Sequence, residues 1–157
     1  MAAAAPSYFI GASLNGMEGQ HITLTWLGPR TQAELNQIWA EVATTIPAKL
    51  SFEFPVPSVW RTFGKPADIA VGRGVQVRPC KPVDGESQLV ELHHRWYYHQ
   101  EGEAEERKDR PSWHLTAKSA QDKEQIDKLQ GPNQCATVFL KQAGGPRAFE
   151  LRVNDVA

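Results

Sequence analysis

Two stretches of the chain pair a histidine with a threonine two residues on, inside an apolar run: His21-Ile22-Thr23-Leu24 and His114-Leu115-Thr116-Ala117. Successive side chains of a strand alternate between faces, so residues i and i+2 project together. Each stretch therefore presents an imidazole and a hydroxyl on one side. Five histidines and eight threonines in 157 residues would give about a quarter of one such pair by chance. The chain carries two, one in each half. An imidazole titrates at about pH 6.5, so one ring can accept a proton while another donates one. A threonine hydroxyl can donate to a phosphate oxygen. Two such strands facing each other would surround one phosphorus. One histidine would activate water or a ribose hydroxyl, the other would protonate the leaving oxygen, and no metal is required.

HITL at 21–24 and HLTA at 114–117 resemble the paired His-x-Thr/Ser-x motifs of the two-histidine (2H) phosphoesterase superfamily. That group includes 2′,5′ RNA ligase-like proteins, 2′,3′-cyclic nucleotide phosphodiesterases, and viral enzymes that cleave 2′,5′-oligoadenylate or cyclic dinucleotide signals. HITLTWLG, with its trailing Leu27-Gly28, is similar to the first motif, and RPSWHLTAKS to the second. The resemblance implies a bilobal α+β fold, two antiparallel sheets forming a central cleft with helices outside. It gives His21 and His114 the catalytic roles and Thr23 and Thr116 the phosphate contacts. It also implies metal-independent cleavage of a nucleotide phosphodiester beside a ribose hydroxyl, without a cofactor. A cyclic oligonucleotide, a 2′,5′-linked signal or a 2′,3′-cyclic phosphate would qualify. The chain departs from many bacterial members in having only a short turn, Asn15 to Gln20, before His21. The same cleft could instead sequester a nucleotide or RNA without cleaving it.

Other residues take secondary parts. Lys118 follows His114 and Thr116 by alternation and is a candidate phosphate contact; Thr25 holds the matching place after Thr23. Trp26 and Trp113 fall on the opposite face and read as core. Tyr8, and Trp60 with Arg61 and Phe63 nearby, are the candidate platforms for stacking a substrate base. His93, His94 and His99 beside Glu91 suggest zinc. Their spacing is not His-Glu-x-x-His, however, and His93 and His94 diverge by about 100° on a helix. Gly72-Arg73-Gly74 is too short for a phosphate loop and reads as a bulged strand.

The elements that must position these residues follow from periodicity. Ser7 to Leu14 reads as a strand ended by Asn15-Gly16, and His21 to Leu27 as its partner. Thr31 and Glu34 form a capping box ahead of Leu35, Ile38, Trp39, Val42 and Ile46 at helical spacing. Phe52 and Phe54 alternate in a strand, and Ile69 to Val77 reads as another. A helix with Leu89, Leu92, His93, Trp96 and Tyr97 on one side follows. Residues 101–110 read as an exposed loop or frayed helix end. Ser119 and Asp122 cap a short helix, and Ala136 to Lys141 with Ala148 to Val153 form a hairpin. The expectation is one domain spanning 1–157, with lobes of about 7–80 and 81–157.

Composition sets the outer bounds. The net charge of −1 provides no electrostatic footprint for long duplex nucleic acid, so an anionic partner should be small and held locally. The first residues lack a basic n-region and are broken by Pro6 and Gly11, which argues against a signal peptide or a membrane span. Cys80 and Cys135 match no metal spacing or disulfide framework. A cytoplasmic monomer is the expectation.

Overall fold

The computed structural model describes residues 5–100, 103 and 105–154, without the side chain of residue 18. The chain begins with a hairpin, β1 (Ser7–Leu14) and β2 (Met17–Pro29), turned at Asn15-Gly16. Helix α1 (Gln32–Thr45) starts at the expected capping box: Glu34 N donates to Thr31 Oγ1 at 3.2 Å, and Thr31 N donates to Glu34 Oε1 at 2.9 Å. It buries Leu35, Ile38 and Val42, the predicted stripe. Strands β3 (Ser51–Phe54), β4 (Arg61–Phe63), β5 (Val75–Pro79) and β6 (Lys81–Pro82) follow, with helix α2 (Pro66–Ala70) between β4 and β5. Helix α3 (Glu86–Trp96), a 3₁₀ turn (Glu105–Lys108), β7 (His114–Ala117), helix α4 (Ala120–Asp127), β8 (Gly131–Gln142) and β9 (Arg147–Arg152) complete the order. The fold is mixed α+β with two antiparallel sheets.

The larger sheet runs β2-β1-β8-β3-β6, with β9 also paired to β8. The twelve residues of β8 make it long enough to hold β1 along one edge and β3 and β9 in succession along the other. Asn154 fastens that second edge. Its side chain accepts from Leu50 N at 3.1 Å and donates to the carbonyls of Leu50 at 2.6 Å and Cys135 at 2.8 Å. One face of the sheet, with Ile10, Ala12, Leu14, Ile22, Leu24, Val138 and Leu140, joins α1 and α3 in the main core. The smaller sheet runs β4-β5-β7.

Three expectations are corrected. The sheets do not divide near residue 80: each takes strands from both halves, because β8 is inserted beside β1. Ile69 to Val77 is not one strand. Pro66 opens α2, and Gly72 at φ +77° turns the chain before β5, as a left-handed residue suited to glycine would. The third correction concerns β2. Ser13, Ala12 and Gly11 pair with His21, Ile22 and Thr23, but Ile10 pairs with Thr25 and Phe9 with Trp26. The register shift reverses the alternation, since cross-strand partners share a face. Trp26 thereby joins the face of His21, and Thr25 turns towards the buried side.

Within the stretch 101–110, residues 101, 102 and 104 lie outside the described residues, as do residues 1–4 of the apolar start. Among the described residues no helix is long and apolar enough to cross a membrane. Cys80 and Cys135 are buried free thiols, and burial pushes the Cys135 thiol up to about 12.

Candidate functional site

Both His-x-Thr motifs sit on edge strands, β2 of the larger sheet and β7 of the smaller, and these two edges come into contact. Register decides what surrounds each motif. On β2, His21 lies beside Ser13 and Thr23 beside Gly11; across β1 the same rows reach Thr137 and Phe139 of β8. The face opposite the core therefore carries His21, Thr23, Phe9, Phe139 and, further along, Lys141. The His21 ring stacks on Phe9 at 4.9 Å between centroids and meets the edge of Phe139 at 6.0 Å. Gly11 makes this possible: a Cβ there would come within 2.9 Å of the Phe139 ring and 3.2 Å of the Phe9 ring.

Cations crowd this end. The Lys141 ammonium stands 5.9 Å over Phe9, and the Arg147 guanidinium 4.0 Å over Phe139. Arg147 also donates to Glu150 Oε2 at 2.9 Å. Burial lowers the His21 pKa to about 4, helped by the charges of Lys118, Lys141, Arg147 and His114. Desolvation disfavours the imidazolium, and like charges add to that effect. A bound anion would reverse the second contribution.

On β7, His114 pairs with Pro79 and Thr116 with Val77, while Leu115 on the other face is buried. The His114 ring packs at 4.7 Å against Phe63, whose other contacts include the Arg107 guanidinium at 4.1 Å. Its Nδ1 is buried without a well-formed hydrogen bond. Burial lowers the His114 pKa; the neighbouring Ser112 backbone opposes the shift and Arg107 adds to it. Immediately after the motif, Lys118 N donates to Asp122 Oδ2 at 3.1 Å, and Asp122 N donates to Ser119 Oγ at 3.1 Å. The α4 cap thus fixes the backbone that carries Lys118, whose side chain is exposed.

The smaller sheet is anchored by Arg78, 1% exposed. Its guanidinium donates to the carbonyls of Ile126 and Leu129 at 2.6 Å each and of Pro55 at 2.9 Å. A cation there complements the C-terminal carbonyls of α4. The predicted platforms lie elsewhere than expected. Tyr8 is on the face of β1 opposite Phe9 and packs against the core. Trp60 donates from Nε1 to Asp127 at 2.9 Å, with the Lys123 ammonium 5.2 Å over its ring. Trp113 is buried, as read from sequence.

A cavity of about 310 Å³ opens beside the motifs. Thr23 and His114 line it, together with Trp26, Phe63, Tyr97, Glu103, Arg107 and Arg110. His93 lies in its wall, buried, and joins three elements. Nδ1 is 3.4 Å from Thr25 Oγ1, Nε2 is 2.5 Å from the Arg107 carbonyl, and the ring stacks on Tyr97 at 4.3 Å. Burial lowers its pKa, although the Arg107 carbonyl opposes this. A neutral ring that donates to Arg107 O and accepts from Thr25 satisfies both contacts. His94 Nε2 similarly meets the Asp109 carbonyl at 2.9 Å. These histidines clip residues 105–110 to α3. Among the described residues no three His, Cys, Asp or Glu side chains converge as a metal site.

The motifs are legible in the sequence, as is Phe63 beside Trp60, which packs on His114 and lines the cavity; Phe9, Phe139, Lys141, Arg147 and Arg107 are not. Phe9-x-Gly11-x-Ser13 alternation offered one usable signal; the others depend on register between distant strands. No family model matches the chain, and no characterised protein gives a significant match to it.

Proposed function

We propose that the chain is a metal-independent phosphodiesterase of the two-histidine type, with its cleft where the edges of β2 and β7 meet. Its substrate is a small nucleotide diester with a ribose hydroxyl beside the phosphorus, or a 2′,3′-cyclic phosphate. The observation that carries this reading is the meeting of two sheet edges, each bearing His-x-Thr, amid the cations Lys118, Lys141 and Arg147. One edge would supply the base and the other the acid. Thr23, Thr116 and Lys118 would hold the phosphate oxygens.

The surroundings favour His21 as base and His114 as acid. His21 is held neutral by burial and three neighbouring cations, whereas His114 has Arg107 as its cationic neighbour. The His21 imidazole takes the proton from the attacking water or ribose hydroxyl as that oxygen bonds to phosphorus. The protonated His114 gives a ring proton to the leaving oxygen as the old bond to phosphorus breaks. Environment separates two chemically identical groups into two roles.

A cleft that sequesters its ligand is the second reading, favoured by the low pKa of both rings, which leaves few imidazoliums at neutral pH. One experiment separates the two. Wild type and the His21→Ala/His114→Ala variant are incubated in EDTA with 2′,3′-cyclic mononucleotides, 2′,5′-oligoadenylate, cyclic dinucleotides and RNA ending in a cyclic phosphate. Products are resolved by anion exchange. Cleavage by wild type alone supports the phosphodiesterase; intact ligand recovered from a tight complex supports sequestration.

A further inference from the structure

We propose that the cavity beside the motifs is a nucleobase subsite, selective for guanine, in which the Glu103 carboxylate reads the base. This deepens the phosphodiesterase reading and rests on it for the placement of the phosphate. Thr23 and His114 both line the cavity, so a nucleoside attached to a phosphate held at the motifs would reach it. Its volume of about 310 Å³ is at the lower end of small-ligand sites. That suits one base with part of its sugar.

The lining matches a flat, hydrogen-bonding ring. Trp26, Phe63 and Tyr97 offer aromatic surface, and stacking on such surface is worth about 1–3 kcal/mol per base. The polar groups fall into two kinds. Arg107 and Arg110 are donors only. Glu103 is an acceptor in a fixed position: Tyr97 OH donates to Oε2, and Gln100 N donates to Oε1 at 3.3 Å. The Tyr97 hydroxyl, pushed up to about 12 by burial and then by Glu103, stays protonated as that donor.

The charged part of the substrate is placed with Lys118, Lys141 and Arg147 near His21 rather than beside the Glu103 carboxylate, which shares the cavity wall with Arg107 and Arg110. What the carboxylate can recognise is an edge of N–H groups. Each of its oxygens has lone-pair capacity beyond the bond it already accepts. Guanine presents two adjacent donors, the ring N1–H and the exocyclic amino group, to such a pair of oxygens. Its O6 is an acceptor for Arg107 or Arg110. Uracil offers one ring N–H between two carbonyls, which would face the carboxylate lone pairs. Adenine lacks the ring donor and the carbonyl.

Binding of nucleoside 3′-monophosphates to the wild-type chain tests this without turnover, because they contain no diester to cleave. Calorimetry with guanosine, inosine, adenosine and uridine 3′-monophosphates should show guanosine tightest. Inosine, which lacks only the amino group, should bind about tenfold more weakly, the size of one hydrogen bond to a charged group. In Glu103→Gln, guanosine should fall to the inosine level while uridine is unchanged. Ligand contacts should also perturb the indole signal of Trp26 in NMR spectra.

Equal affinity across the four nucleotides in wild type overturns the proposal, as does adenosine or uridine binding tightest. That comparison needs no variant, so a misfolded Glu103→Gln would not blunt it. Guanosine selectivity without cleavage of any diester would retire the phosphodiesterase and keep the subsite. Cleavage without base preference would do the reverse.

Discussion

The two motif strands share a sequence pattern and differ in nearly everything around it. His21 stands on a larger sheet, between Phe9 and Phe139, in the field of Lys118, Lys141 and Arg147. His114 stands on a four-residue strand of a three-stranded sheet, against Phe63, with one ring nitrogen already buried. The larger sheet is backed by α1 and the apolar core, while the smaller depends on the buried guanidinium of Arg78. The motif provides reactive groups; their surroundings decide which one holds a proton.

The sharpest way to break this comparison is the leaving group. Either histidine changed to alanine should reduce cleavage of a natural diester by about 10²–10⁴-fold, the usual size of general acid or base catalysis. With an activated ester, such as a p-nitrophenyl phosphodiester, the leaving oxygen needs no proton. His114→Ala should then recover most of the lost rate, and His21→Ala should not. Recovery by His21→Ala instead would exchange the roles. Next in size is a stability effect confined to the smaller sheet. Arg78→Met leaves three carbonyls without their donor, each such loss costing about 1–3 kcal/mol. Allowing for the cation's own burial, the urea midpoint should reflect a loss of about 3 kcal/mol.

The pH dependence is a milder test of the same asymmetry. The base must be neutral, so kcat/KM should rise as pH climbs through about 4, the value for His21. The acid must be protonated, so the rate should fall again as pH passes the His114 value, which lies below 6.5. The alkaline limb therefore lies at acidic rather than neutral pH. Lys141→Gln removes a positive charge near His21, favours its imidazolium, and should move the acid limb upward by a few tenths of a pH unit. The alkaline limb, governed by His114 and its neighbour Arg107, should remain in place. Movement of both limbs together would show that the two rings titrate as one coupled pair.

Much of this was legible in the chain because it is local. The capping box at Thr31, the apolar stripe of α1, the Asn15-Gly16 turn and the doubled motif all depend on residues within a few positions of one another. What was not legible depends on register. The shift between Ile10 and Gly11 could not be read from HITLTW, yet it brings Trp26 round to the His21 side and turns Thr25 towards His93. Lys141 and Arg147 join the site only because β8 lies between β1 and β9. His93, conspicuous for its neighbours in sequence, has its contacts set by a fold in which residues 105–110 return over α3.

The smallest of these effects tests how closely the aromatic frame of the larger sheet is fitted. Gly11 faces Thr23 across the hairpin, and no side chain occupies its place between the rings of Phe9 and Phe139. In Gly11→Ala the new methyl must displace Phe139, 2.9 Å away, and crowd Phe9 at 3.2 Å. Both rings pack on His21. Overpacking of this kind costs about 1–3 kcal/mol, and the lower end is expected because ring tips can move. Its catalytic mark should be a several-fold fall in kcat, since the two rings that must move pack on His21. Gly19→Ala is the control, because a Cβ there meets nothing within 4 Å. The smaller sheet has no equivalent glycine: Val77 and Pro79 already stand opposite Thr116 and His114. Were Gly11→Ala as active as Gly19→Ala, the aromatic sandwich would be packing alone, and the charge of Lys118, Lys141 and Arg147 would be what distinguishes His21 from His114.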